Sequence, residues 1–140
     1  MSQINNAFTA IAGEDLSAHK GGVVYLDSTD SNKVKIYTAA VMGVAHQEAF
    51  ILTNAPGDDE RAYLAGYNDV AEAKYGAAIT AANVAAELTV NASGFLIPAT
   101  TGDHVVALAR PTLRNDAIRT FAANDLGDVI SVGHAKRAAA

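Results

Sequence analysis

Short apolar runs alternate with polar turns along most of this chain. Residues 22–27, 33–38, 61–66, 87–91, 95–98 and 128–133 are rich in β-branched, aromatic and aliphatic positions. Such runs, bounded by Gly, Asn, Asp and Ser, predict strands. In Val34-Lys35-Ile36-Tyr37 apolar and polar residues take turns, the pattern of a half-buried strand. Residues 41–45 and 105–109 are unbroken apolar runs and read as buried strands. Ser28-Thr29-Asp30-Ser31-Asn32 and Ala92-Ser93-Gly94 supply hairpin loops between consecutive strands. Helix is scarce. Ser17 and Thr80 are placed to cap single helical turns, and residues 83–88 fit one or two more. Leu113, Ala117, Ile118 and Phe121 stand at helical spacing, which predicts a short amphipathic helix over 113–121. Residues 61–75 fit either state by pattern. Their Ala content favours helix, but the repeat described next favours strand.

The pattern occurs twice. Leu16-Ser17-Ala18 matches Ile79-Thr80-Ala81, and Val24-Tyr25-Leu26-Asp27 matches Leu88-Thr89-Val90-Asn91. Val41-Met42-Gly43-Val44-Ala45 matches Val105-Val106-Ala107-Leu108-Ala109, and Tyr63-Leu64-Ala65-Gly66 matches Ile130-Ser131-Val132-Gly133. The offset is nearly constant at 63 to 67 residues. Two copies are too few for a solenoid. The expected architecture is a mainly β, small barrel-like or sandwich-like domain of two pseudo-repeated halves, about 13–66 and 76–133. One or two short helices and an extended N-terminal arm, residues 1–12, complete it. Residues 13–140 form the single domain.

Composition narrows the function classes. The chain has 140 residues, one domain's worth. Half of its residues are apolar, but 30 of those are Ala, so the bulky core is thin. Charged residues are 18%, below the usual quarter or so. A sparsely charged, Ala-rich surface is expected where neighbouring subunits cover it. Cys is absent, which removes disulfides and thiolate chemistry. No run is long enough for a membrane helix, and no basic, apolar leader opens the sequence. Synthesis in a cytoplasm is therefore expected. A net charge of −5 argues against nucleic acid as partner. Arg110, Arg114 and Arg119 nonetheless make the last quarter locally basic.

Motifs for chemistry are weak. His19, His46, His104 and His134 lie far apart in sequence. The 27–32 loop lacks the Gly and distal Glu of a calcium loop, and Asp58-Asp59-Glu60 reads as a solvated turn. No nucleophile elbow or phosphate-binding glycine motif is present. No catalytic, cofactor or metal residue is assigned. Ile4, Phe8 and Ile11 are spaced to dock an N-terminal arm on a partner, on the domain itself, or not at all. The arginines suit carboxylates on a neighbouring copy or on another protein, or else form a solvated face.

Tyr75-Gly76-Ala77-Ala78-Ile79-Thr80-Ala81, Leu88-Thr89-Val90-Asn91-Ala92-Ser93-Gly94, Pro98-Ala99-Thr100-Thr101-Gly102-Asp103 and the 105–109 run resemble a known family. It is the small capsid decoration, or cement, proteins of tailed bacteriophages. The resemblance spans about residues 13–133. It departs at Asn83, where Gly is usual, in a longer loop at 54–60, and in an insert at 113–121. It implies a β-rich homotrimer on the outer surface of a virion, bridging subunits of the major capsid protein. It places Ile4, Phe8 and Ile11 at that contact, and it implies no enzyme activity and no cofactor. Two rivals stay open: a head-fibre or other ligand- or glycan-binding β module, and a small hydrolase around Asp103 and His104.

Overall fold

The computed structural model describes residues 8–44, 47–79, 87–110, 113–114, 117–118 and 120–132. The protein is mainly β, as its pattern predicts. The strands are β1 (Phe8–Ile11), β2 (Val23–Asp27), β3 (Lys33–Ile36), β4 (Phe50–Leu52), β5 (Arg61–Ala65) and β6 (Val70–Lys74). Then follow β7 (Glu87–Val90), β8 (Leu96–Pro98), β9 (Ala107–Ala109), β10 (Leu113–Arg114), β11 (Ala117–Ile118) and β12 (Leu126–Ser131). One helix, α1 (Ala39–Val44), lies between β3 and β4.

Two five-stranded antiparallel sheets carry the fold. Their orders are β1-β5-β4-β2-β3 and β6-β12-β9-β7-β8. These are one topology written twice. The backbone hydrogen bonds repeat with it. The Gly13 amide reaches the Val34 carbonyl at 2.8 Å, and Gly76 reaches Leu96 at 2.7 Å. Leu16 donates to Pro56 at 2.9 Å, and Ile79 to Phe121 at 2.8 Å. Thr53 donates to Tyr63 at 2.9 Å, and Arg110 to Asp128 at 3.0 Å. In both halves a parallel bridge ties the end of the first strand to the third, Ala12 to Val34 and Tyr75 to Leu96. Each sheet is thereby curled around its own apolar lining.

Burial follows strand alternation. Val24, Phe50, Leu52 and Leu64 point to one side of the first sheet and pack with Ala12, Leu16 and Val34. Val23, Ile51 and Ala65 point to the other side. They join a larger cluster with Leu88, Leu96, Ala107, Val129 and Ile79 of the second half. The first sheet is thus apolar on both faces, which makes the pair sandwich-like. Fully burying each such aliphatic side chain contributes about 1.5–3 kcal/mol.

Several sequence expectations are corrected. Residues 41–45 are not a buried strand: through Val44 they lie in α1, and Val44 is 89% exposed. Thr38 starts this helix, its hydroxyl accepting the Val41 amide at 3.3 Å and its carbonyl the Met42 amide at 3.0 Å. The true counterpart of β9 is β4. Within 113–121 the described Leu113–Arg114 and Ala117–Ile118 are strand where an amphipathic helix is expected. Leu113 pairs with Ile118 and Arg114 with Ala117, an antiparallel strand pair that falls between β9 and β12 in sequence. Residues 61–75 are extended but break into β5 and β6 at a turn over 66–69. Ser17 starts a turn rather than a helix, and its amide is held by Asp15 Oδ1 at 3.0 Å. Thr80 and most of 83–88 lie outside the described residues, and 87–88 begin β7. The second part of the proposed arm, Phe8–Ile11, is a strand of the domain's own sheet. The repeats therefore begin at β1 and β6.

Candidate functional site

Four features stand out from the scaffold: an outward strand face in each half, the turn that carries Tyr67, a cavity beside α1, and a tilted His19–Phe95 ring pair with Lys74 at the junction of the halves.

The two outward faces are equivalent in backbone but differ in chemistry. In the first half, Thr9 lies opposite Tyr63, and Ile11 opposite Arg61. All four are exposed, while Ala62 and Leu64 between them turn inward. Arg61 Nη1 donates to Thr9 Oγ1 at 3.0 Å. In the second half the corresponding pairs are Val70 with Ile130, Glu72 with Asp128, and Lys74 with Leu126. Two carboxylates thus face each other directly across β6 and β12.

A turn joins β5 to β6 and carries Tyr67, which is 71% exposed. Its backbone is pinned on both sides. Gly66 donates its amide to Asp69 Oδ2 at 2.8 Å, and Asp69 returns its amide to the Gly66 carbonyl at 3.0 Å. Asn68 donates to Ser131 at 2.7 Å, and Ser131 to Asp69 at 3.0 Å. Asn68 takes a left-handed φ of 67°, which Asn tolerates better than most residues.

An open cavity of about 540 Å³ lies between α1 and the second sheet. Met42, Thr89, Asn91, Ile97, Asp103 and His104 contribute to its lining. Asp103 is committed to its own turn, its Oδ2 accepting the Thr100 amide at 2.9 Å and hydroxyl at 3.0 Å. Asn91 Oδ1 likewise accepts the amides of Ser93 and Phe95. Asp103 and Asn91 are therefore engaged in shaping the rim of this cavity. A smaller groove on the other side of α1 is lined by Tyr25, Val41 and Val44.

At the junction, the buried His19 ring lies 4.6 Å from that of Phe95, and Lys74 Nζ sits 5.0 Å from the Phe95 centroid. His19 Nε2 donates to the Val23 carbonyl at 3.1 Å. Burial pulls the His19 pKa below its ordinary 6.5, against the opposing pull of that hydrogen bond and of Glu14. Burial also pushes the Tyr75 hydroxyl up to about 12, while it donates to the Asp128 carbonyl at 2.9 Å.

The polar loop after β2 is closed on itself. Asp27 Oδ1 accepts from the Thr29 amide and hydroxyl, which holds the Asp27 carboxyl below its usual value. Lys35 bridges Asp27 at 3.3 Å and Asp30 at 3.0 Å. Among the described residues no cluster of His, Asp or Glu has metal-binding geometry.

The sequence-derived candidates are scattered. Phe8 opens β1 opposite Leu64, Ile11 closes it, and Ile4 lies outside the described residues. Arg110 is exposed just beyond β9, and Arg114 pairs with Ala117 in the β10–β11 strand pair. Arg119 lies outside the described residues. Sequence reasoning passed over Tyr63, Tyr67, Glu72 and Asp128. The alternation in Arg61-Ala62-Tyr63-Leu64 marks Tyr63 as outward. Nothing local marks Glu72 and Asp128, because only strand pairing brings them together. Neither the protein-family models nor the curated proteins contain a match to this chain.

Proposed function

We propose that this protein is a structural component of a phage virion. In this reading it binds the outer surface of the capsid as a homotrimer and stabilises the shell by bridging major capsid protein subunits. The observation that carries the reading is Tyr67, a large side chain 71% exposed on a turn whose backbone is hydrogen-bonded on both sides. A pre-ordered aromatic residue loses little conformational entropy on binding, which makes it a good anchor. The low charge content supports the same reading, since little desolvation opposes broad contact. The resemblance of about residues 13–133 to decoration proteins supplies the kind of partner. Ile4, Phe8 and Ile11 join Tyr67 as proposed capsid contacts. Contacts of modest strength, repeated by three linked copies, reinforce one another through effective concentration.

The test is calorimetry of expanded, undecorated heads with and without saturating protein. A rise in their melting temperature is expected, and an unchanged melting temperature rejects the role.

The cavity beside α1 favours a second reading, a ligand- or glycan-binding module of a head fibre. Its opening and volume suit a small ligand. Among the described residues its lining holds no Phe or Tyr to stack on a sugar face, which ranks this reading second. A glycan array separates the two.

A further inference from the structure

The cavity between α1 and the second sheet sets a single carboxylate, that of Asp103, against an apolar wall. Among the described residues no Lys or Arg lines it, and His104 is its other titratable group. Asp103 is fixed before any ligand arrives. Its Oδ2 accepts the Thr100 amide at 2.9 Å and hydroxyl at 3.0 Å, and its own amide donates to the Thr100 carbonyl at 3.0 Å. Gly102, with a φ of 93°, supplies the left-handed residue with which this turn closes. The second carboxylate oxygen, Oδ1, makes no hydrogen bond or ion pair with a described residue. A half-buried carboxylate with one oxygen open is suited to a cation that brings its own N–H donors.

The rest of the lining is apolar. Met42 and Val90 are buried and Ile97 half-buried, and the Thr89 hydroxyl is engaged with Met42 Sδ at 3.9 Å. The volume of about 540 Å³ lies within the range of small-molecule sites. This wall selects by chemistry. A phosphate or a carboxylate meets Asp103 with no lining Lys or Arg to offset the repulsion. A neutral apolar molecule leaves the open carboxylate oxygen without a donor. We propose that the cavity binds a small aliphatic primary amine, its ammonium on Asp103 and its chain across Met42 and Ile97. The inference concerns the cavity alone and does not rest on binding to a shell.

The test is NMR on the isotope-labelled full chain, titrated with hexylamine at pH 8, where an imidazole is ordinarily neutral and an alkylamine stays charged. Saturable shifts are expected at the amides of Met42, Thr89, Ile97 and Asp103. Binding should tighten about threefold for each methylene added from propylamine to hexylamine, as apolar burial requires. Hexanol should bind at least about fivefold more weakly than hexylamine, the worth of one charge-assisted contact, and hexanoate should not bind. Asp103→Asn keeps an oxygen for the Thr100 amide and hydroxyl, so the turn is retained. This variant should bring hexylamine down to the affinity of hexanol and leave hexanol unchanged. Ile97→Ala should weaken both ligands alike. The inference is overturned by the absence of saturable shifts, by shifts centred elsewhere, or by hexanol or hexanoate binding as tightly as hexylamine. An Asp103→Asn variant that keeps its preference for the amine, or an Ile97→Ala variant that binds as the wild type does, overturns it as well.

Discussion

Asp59 and Asn124 hold the same place in the two halves. Both take left-handed backbone, with φ of 62° and 73°. The Asp59 amide donates to Ala12 at 3.0 Å, and the Asn124 amide to Tyr75 at 2.7 Å. The residue after each accepts in return, Glu60 from the Ala12 amide at 2.8 Å and Asp125 from Tyr75 at 3.0 Å. The carboxylate of that next residue also caps the turn, Glu60 on the Gly57 amide and Asp125 on the Ala122 amide. A repeat extending to a strained turn and its cap belongs to the whole half-domain rather than to isolated strands.

The strain at Asn124 is directly measurable. A β-branched side chain is poorly tolerated at φ 73°. Asn124→Val should cost about 1–2 kcal/mol, the penalty of left-handed backbone for a residue that does not favour it. Asn124→Gly should stay within about 0.5 kcal/mol, because relief of strain offsets the added freedom of the unfolded chain. Urea unfolding of both variants reads the difference. Equal midpoints would mean that the turn carries no strain.

The limits of sequence reading follow from these same residues. The strands around Val24 and Leu88 were legible because β-branched residues, a hairpin loop and the repeat agreed. The 41–45 run was not, because a short apolar stretch has no period to separate strand from helix. Its likeness to the 105–109 run points to a strand as well. In fact no helix stands between β8 and β9, the place in the second half that matches α1, and Val44 faces solvent. At 113–121 the spacing is helical, yet the described Leu113–Arg114 and Ala117–Ile118 pair as two antiparallel strands. The candidate surfaces were the least legible part. Glu72 and Asp128 are distant in sequence and meet only through the register of β6 with β12.

Gly21 ties the halves together. Its amide donates to Leu52 at 2.8 Å, and its carbonyl accepts the Lys74 amide of the second half at 2.9 Å. Its φ is +84°, and an added Cβ would lie 2.8 Å from the Lys74 nitrogen. Gly21→Ala therefore meets both strain and overlap with backbone that cannot swing aside. A loss of about 2–4 kcal/mol is expected, summing left-handed strain and a broken buried hydrogen bond. Thermal unfolding checks it. A loss under about 1 kcal/mol would show that the junction yields easily.

His19 should make the junction acid-sensitive. Burial lowers its pKa below 6.5, so the unfolded chain takes up a proton at a higher pH than the folded one. The stabilisation is fully present above about pH 6.5 and is lost as pH falls towards the folded pKa. The charged groups bearing on the ring are Glu14, which favours protonation, and Lys74, which opposes it. Urea midpoints should therefore fall between pH 7.5 and pH 5. In His19→Gln, which cannot titrate, that fall should shrink even though the variant begins less stable. An unchanged pH slope would place the acid sensitivity elsewhere.

Tyr67 offers the sharpest separation of binding from folding. Its side chain is 71% exposed, while the turn beneath it is fixed by backbone bonds to Ser131 and by the Asp69 carboxylate. Tyr67→Ser should therefore change unfolding free energy by no more than about 0.5 kcal/mol, the usual range for surface substitutions. If Tyr67 anchors the protein to a shell, the same change should weaken binding to undecorated heads at least tenfold, about 1.4 kcal/mol per copy. The effect should be larger for the proposed trimer, because every copy loses its anchor at once. Sedimentation of heads with labelled protein reads the affinity. Unaltered affinity in a normally folded variant would remove Tyr67 from the contact and, with it, the observation on which the proposed function chiefly stands.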